Sequence, residues 1–265
     1  MAAAKRSPKS ETILSARGIV NRFGTQVVHE NVSLDVLRGE IFGIAGGSGS
    51  GKSVLLKTLI GLRQPNAGKV LLDGKAIEAI GPAERASLIG VLFQQGALYS
   101  SLSVAQNIML PIREYTDLPP ADQERIAAMK LELAGMAAET GIKFPAQLSG
   151  GMIKRAAFAR ALALDPQILF LDEPTSDLDP LTASGIDAMI GQLNQSLGVT
   201  VVVVTHDLTT LFTLCDRVGV LVDGKITIDT LDKLLRSDHP WIHDFLHGPR
   251  AQGALTARKQ SHGNG

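Results

Sequence analysis

The sequence predicts an α/β fold of the phosphate-loop type, with a mixed sheet core, an antiparallel β subdomain and an inserted helical subdomain. Three observations predict it. The turn Gly46-Gly47-Ser48-Gly49-Ser50-Gly51-Lys52-Ser53 stands between a strand-like stretch at 40–45 and a helix-like stretch at 54–62. Apolar runs at 89–93, 167–173 and 199–204 have the length and continuity of strands buried on both faces, and helical patterns separate them. Residues 96–165 change character, with Ala-rich helical periodicity at 121–138 and 150–164, which marks the inserted subdomain.

The glycine-rich turn is an anion trap by construction. Glycines let backbone N–H groups turn inward around phosphate oxygens, and the following helix adds partial positive charge at its N-terminus. Lys52 is placed to reach the β- and γ-phosphates of a nucleotide, and the Ser53 hydroxyl to ligate Mg²⁺.

Composition narrows the partners. The 265 residues, 45% hydrophobic, suit one nucleotide-binding unit: a tail at 1–11, a domain at 12–247 and a second tail at 248–265. Lys plus Arg equals Asp plus Glu at 26 each, so no global field favours nucleic acid or an anionic membrane. No apolar run approaches the roughly 18–20 residues that span a bilayer, so a membrane role is expected to come through another chain. Lys5, Arg6 and Lys9 precede no apolar segment, and the single Cys215 cannot close an internal disulfide, which together point to a reducing cytoplasm. Cys215 is read as a small hydrophobe in an apolar helical stretch.

In chain order, alternation predicts strands at 13–20 and 32–36 with Asn21-Arg22-Phe23-Gly24 as the turn between them. Phe23 is either a nucleobase-stacking aromatic or ordinary packing at a strand end. A strand at 69–73 leads into the tight turn Asp73-Gly74, and 82–88 suits a short helix. The strand at 89–93 ends on Gln94, either a ligand for metal or attacking water or a loop amide facing solvent. Leu148-Ser149-Gly150-Gly151 opens the second Ala-rich helix, as a second anion site or as a plain N-cap with glycines. The strand at 167–173 ends in Asp172 and Glu173. Buried carboxylates need a cation or donors to answer them, so Asp172 is the candidate Mg²⁺ partner and Glu173 the candidate general base. A helix at 180–197 and a strand at 199–204 follow, with His206 just past the strand. Gln94, Asp172, Glu173 and His206 thus converge on the sheet edge that carries the phosphate loop. Residues 214–222 and 225–228 flank Asp223-Gly224 as a closing hairpin, and 231–235 and 240–246 are short helices. Trp241, Ile242, Phe245 and Leu246 share one face of the last helix, packing on their own domain or reaching a partner.

Taken together, the phosphate loop, Gln94, Leu148-Ser149-Gly150-Gly151, residues 168–173, Ser176-Asp177-Leu178-Asp179 and His206 resemble, in order and spacing, the nucleotide-binding domain of ABC transporters. The resemblance covers about residues 12–235. It implies a head-to-tail homodimer that sandwiches two ATP molecules, each between one protomer's phosphate loop and the other's Ser149, Gly150 and Gly151. It also implies that Phe23 stacks on adenine, Gln94 senses Mg²⁺ and water, Asp172 holds Mg²⁺, Glu173 polarises the attacking water and His206 contacts the γ-phosphate. Met152 stands where most of the family has Gln. Within the family, residues 92–99, Asn107 with 111–114, 149–152 with 155–157, and Phe245 with 248–250 resemble the ATPase subunit of Mla-type systems. That likeness implies phospholipid transport between two membranes with an integral permease dimer, an MCE-type lipid-binding protein and a small accessory subunit. The ATPase would then be peripheral on the cytoplasmic side of the inner membrane. The competing classes are an ATPase for another imported or exported substrate, and a soluble relative acting on DNA or ribosomes, for which a second ATP unit, zinc insertion, coiled coil or basic face would be expected.

Overall fold

The computed structural model describes residues 11–248 together with Ala251 and Gly253. The two expected tails otherwise lie outside the described residues. Ala251 falls in the expected C-terminal tail but is buried against the domain.

Strands β1 (Thr12–Phe23), β2 (Gln26–Leu37), β3 (Ile41–Gly46), β4 (Ala67–Leu72), β5 (Lys75–Ala76), β6 (Ile89–Leu92), β7 (Ile168–Asp172), β8 (Thr200–Val204), β9 (Arg217–Val222) and β10 (Lys225–Asp229) form two sheets. One is antiparallel, in the order β2-β1-β4-β5. The other runs β10-β9-β3-β8-β7-β6 and is parallel throughout except for the antiparallel edge strand β10. The helices are α1 (Lys52–Leu59), α2 (Pro82–Leu88), α3 (Val104–Tyr115), α4 (Pro120–Leu133), α5 (Gly150–Ala161), α6 (Pro180–Leu197), α7 (Leu208–Leu214), α8 (Leu231–Leu234) and α9 (Pro240–His247).

The parallel strands explain their own unbroken hydrophobicity. In β7, Ile168 and Phe170 face a core shared with α1 and the antiparallel sheet. Leu169 and Leu171 face a second core made with α3 to α6. Both faces are covered, so no position on the strand is free to be polar until the chain leaves the sheet at Asp172. A third core joins β9 to α7, α8 and α9 through Val218, Val220, Leu211, Leu231, Ile242 and Leu246.

The structure differs from expectation at four places. Asn21, Arg22 and Phe23 are not a turn: they pair with His29, Val27 and Gln26, and the chain reverses at Gly24 and Thr25. Asn21 reads as a turn residue because it is polar, but it is fully buried, with its amide satisfied by His29 and Thr58. The strand expected at 214–222 begins only at Arg217, and Leu214 is instead the last residue of α7. The Asp207 carboxylate caps this helix by accepting from Thr209 N at 2.8 Å, and Cys215 lies just past its end. Helix α3 has no counterpart among the expected elements, although Ser103 and Gln106 form a reciprocal capping box at its start. The expected helices at 121–138 and 150–164 end earlier, at Leu133 and Ala161.

Candidate active site

The carboxyl ends of β3, β6, β7 and β8 lie along one edge of the parallel sheet, so consecutive strands deliver the phosphate loop, Gln94, Asp172 with Glu173, and His206 to one place. Between them lies a cleft of about 940 Å³ whose lining includes Lys52, Ser53, Gln94, Glu173, His206 and Phe245.

Two of the loop's glycines are demanded by contact as well as by backbone angle. Gly46 has φ 156°, and a Cβ there would sit 2.5 Å from the Leu221 carbonyl oxygen; Gly51 has φ 94°, and its Cβ would meet Val28 at 2.5 Å and His29 Nε2 at 2.7 Å. The Lys52 ammonium donates to the carbonyls of Gly46 at 2.9 Å and Gly47 at 3.0 Å, which holds its charge over the mouth of the loop. Burial pulls its pKa down, against the opposing pull of Glu173 and Asp172.

Asp172 and Glu173 separate into two roles. Asp172 is 6% exposed and hydrogen-bonded by Ser53, while its Oδ1 is buried with no partner. Burial, and then the neighbouring Glu173, push its pKa up. A buried carboxylate oxygen with no donor, beside a serine hydroxyl, is the chemistry of a hard divalent cation site, so the residues present fit Mg²⁺. Glu173 sits in the left-handed region at φ 49°, which swings its carboxylate out of the strand line into the cleft. There His206 Nδ1 lies 2.7 Å from Oε1, and the Thr205 hydroxyl donates to Oε2 at 3.2 Å.

The remaining expected residues stand apart. Ser149 and Gly150 are exposed at the N-terminus of α5 and do not line the cleft; Gly151 is buried against Thr182 of α6. Phe23 is also outside the lining, 47% exposed, with the Arg63 guanidinium 4.0 Å from its ring centroid. On α9, Ile242 and Leu246 are buried in their own domain. Phe245 and Asp244 reach the cleft, and Trp241, stacked on Phe245 at 4.9 Å, lies against Gly47. This helix therefore packs in cis.

Several residues at the site escaped the sequence reading. Lys154, 6% exposed, donates to the carbonyl of Gln94, to the Glu173 carbonyl at 2.9 Å and to Ser176 Oγ at 3.2 Å. Its signal was available, because it shares a helix face with Ala157 and Phe158 and a lysine on an apolar face is out of place there. His29 is fully buried behind Gly51, its Nδ1 accepting from Asn21 at 2.9 Å. Asn21 also donates to Thr58 of α1 at 3.0 Å and accepts from Arg63 at 3.3 Å. Burial pushes the His29 pKa down to about 4. Asp187 of α6 is buried and accepts from Thr210 of α7 at 2.9 and 3.1 Å, and desolvation pushes its pKa up to about 7. Nothing local in the sequence marks either group as buried.

A phosphate-binding turn between strand and helix, with an acid pair on one neighbouring strand and a histidine on another, defines a phosphate-loop nucleotide hydrolase. Comparison narrows this. A family model described as ABC transporter matches residues 29–176, and the chain belongs to that family as an ATP-binding and ATP-hydrolysing subunit. The chain is 39% identical to the "Probable ribonucleotide transport ATP-binding protein mkl" of Mycobacterium leprae, over 89% of this chain and 69% of the relative. It is 36% identical to the "Intermembrane phospholipid transport system ATP-binding protein MlaF" of Haemophilus influenzae, over 90% of this chain and 92% of the relative. To the protein of that name in Escherichia coli it is 38% identical, over 85% of both. Among solved structures, a dimeric post-hydrolysis state of the ATP-binding cassette MJ0796 bound to ADP and Pi superposes with a TM-score of 0.76 at 31% identity, covering 82% of this chain and 98% of that one.

Proposed function

We propose that this chain powers a separate membrane permease that moves phospholipid between the inner and outer membranes. The observation that carries the reading is the likeness to two proteins named for intermembrane phospholipid transport, which extends over most of both chains. No helix among the described residues is long and apolar enough to cross a membrane, so the reading needs an integral partner. A groove of about 460 Å³ beside Gln94, walled by Val91, Phe93, Tyr99, Leu110 and Tyr115, supports a permease helix docking there. In this reading the subunit sits on the cytoplasmic face of the inner membrane, held by a permease dimer, with an MCE-type lipid-binding protein and a small accessory subunit in the complex.

Two copies meet head to tail, so that each cleft is completed by the other copy's Ser149, Gly150 and Gly151. The exposure of Ser149 and Gly150 away from the chain's own cleft supports this. Phe23 offers adenine the ring face that Arg63 does not cover. The loop's N–H groups and Lys52 hold the phosphates, the latter exchanging the Gly46 and Gly47 carbonyls for phosphate oxygens. Ser53, Asp172 and Gln94 would hold Mg²⁺, which neutralises charge on the phosphates when bound. Glu173 accepts the proton of the attacking water, and His206 fixes the Glu173 carboxylate and faces the γ-phosphate.

The test is co-purification with the permease, followed by reconstitution into vesicles of defined lipid. ATP-dependent transfer of a labelled phospholipid supports the reading, whereas stimulation by another solute with no lipid transfer overturns it. A second reading, transport of ribonucleotides, is favoured by the name of the mycobacterial relative. Nucleotide uptake by the same vesicles decides between them.

A further inference from the structure

Lys154 is a buried ammonium whose three protons go to three different segments of the site. One goes to the carbonyl of Gln94 after β6, one to the carbonyl of Glu173 after β7, and one to Ser176 Oγ in the loop leading to α6. Ser176 closes the figure by donating its own hydroxyl to the Glu173 carbonyl at 3.0 Å. Among the described residues no carboxylate pairs with the lysine directly, although Asp177, Glu173 and Asp172 oppose the effect of burial on its charge. A cation that costly to bury is retained here against neutral oxygens on catalytic segments.

Its place on α5 gives the arrangement a direction. Lys154 follows Ser149, the N-cap of α5, by little more than one helical turn on a rigid helix. A displacement of the helix N-terminus therefore moves the ammonium, and with it the carbonyl that sets the left-handed turn of Glu173. We propose that Lys154 is a positioning residue that couples the Ser149 turn, which caps the partner copy's nucleotide, to the Glu173 and Gln94 of its own chain. This rests on the head-to-tail reading. Occupation of one composite site then aligns the base of the other, so the two sites hydrolyse in a concerted way.

The test is ATP hydrolysis and binding of a fluorescent ATP analogue by the full-length chain carrying Lys154→Met, Lys154→Gln or Lys154→Arg. For Lys154→Met the expected result is a kcat lower by about tenfold or more with Kd for the analogue changed less than about threefold, and a Hill coefficient that falls from above one to one. Arginine, which keeps charge and donors, restores most of the rate and the cooperativity, and glutamine, with two donors, is intermediate. Ser176→Ala, which removes one corner of the figure without emptying the core, lowers the Hill coefficient in the same direction. Wild-type kcat and cooperativity in Lys154→Met overturn the proposal. So does a loss of rate that tracks falling melting temperature and is not recovered by arginine. If Lys154→Met does not fold, unchanged cooperativity in Ser176→Ala overturns it. Failure of the head-to-tail reading is seen separately, as absence of an ATP-dependent crosslink between Ser149→Cys of one copy and Ser48→Cys of the other.

Discussion

His206 Nδ1 lies 2.7 Å from Glu173 Oε1, joining the ends of two adjacent parallel strands directly across the cleft. The histidine side chain is 64% exposed and the carboxylate only 11%, so the exposed partner orients the buried one. Glu173→Gln keeps the shape and loses the base, and kcat should fall roughly 10²-fold or more while ATP still binds. The closed dimer should then accumulate with ATP and Mg²⁺ on gel filtration. Wild-type turnover with monomers only would contradict both parts.

Lys52→Ala removes the cation that spans the Gly46 and Gly47 carbonyls. Nucleotide affinity should drop by about two orders of magnitude or more, since hydrogen bonds to charged groups are worth about 1.5–3 kcal/mol each. Isothermal titration with an ATP analogue measures this. Near-normal affinity would remove Lys52 from the phosphate site.

Mixed dimers of a Ser149→Arg chain and a Lys52→Ala chain should keep one intact composite site and bind one nucleotide analogue per dimer, while dimers of either variant alone have no intact site. Dimers carrying separate affinity tags allow the mixed species to be isolated and assayed.

Two buried groups should give opposite slopes of stability against pH. His29 has a folded pKa near 4 against an ordinary 6.5, so between these values the unfolded chain binds a proton that the folded chain does not. Its share of stability is complete above pH 6.5 and declines as pH falls toward 4. Asp187, near 7 against 3.8, behaves in reverse: its share is complete below pH 3.8 and is lost as pH rises through 7. Each full swing is on the order of 3 kcal/mol. Denaturant melts should therefore show His29→Phe gaining on wild type as pH falls from 7 to 5, and Asp187→Asn gaining as it rises from 5 to 8.

Because Trp241 lies against Gly47 and is the chain's only tryptophan, its emission should shift when nucleotide enters the loop. Deleting everything after Asp238 exposes the surface under Ile242 and Leu246, buried side chains worth roughly 1.5–3 kcal/mol each. The melting temperature should fall by the same amount at every protein concentration. A loss confined to dimer recovery would argue against cis packing.

Most of the parallel sheet was legible because strands buried on both faces leave no ambiguity of pattern, as the run at 167–173 shows. The site was legible because its residues stand at strand ends, where a buried run stops on a polar residue: Gln94, Asp172 and His206. Errors fell where tertiary contacts outweigh local preference. Asn21 has the composition of a turn, yet it forms strand because His29 and Thr58 supply its hydrogen bonds from β2 and α1. Leu214 reads with the apolar run of β9 in sequence, yet it ends helix α7 and the strand starts only at Arg217. Lys154 could be suspected from its helix face, but its three acceptors come from segments about 20 or 60 residues away in sequence.

The left-handed backbone at Glu173 sets stability and turnover against each other at a single codon. A non-glycine residue held there carries a strain of about 1 kcal/mol or more, which glycine would relieve. A population of variants screened only for heat resistance would thus enrich a glycine at 173 that folds better and hydrolyses nothing. Directed evolution of this subunit toward robustness has to select for phosphate release in the same round.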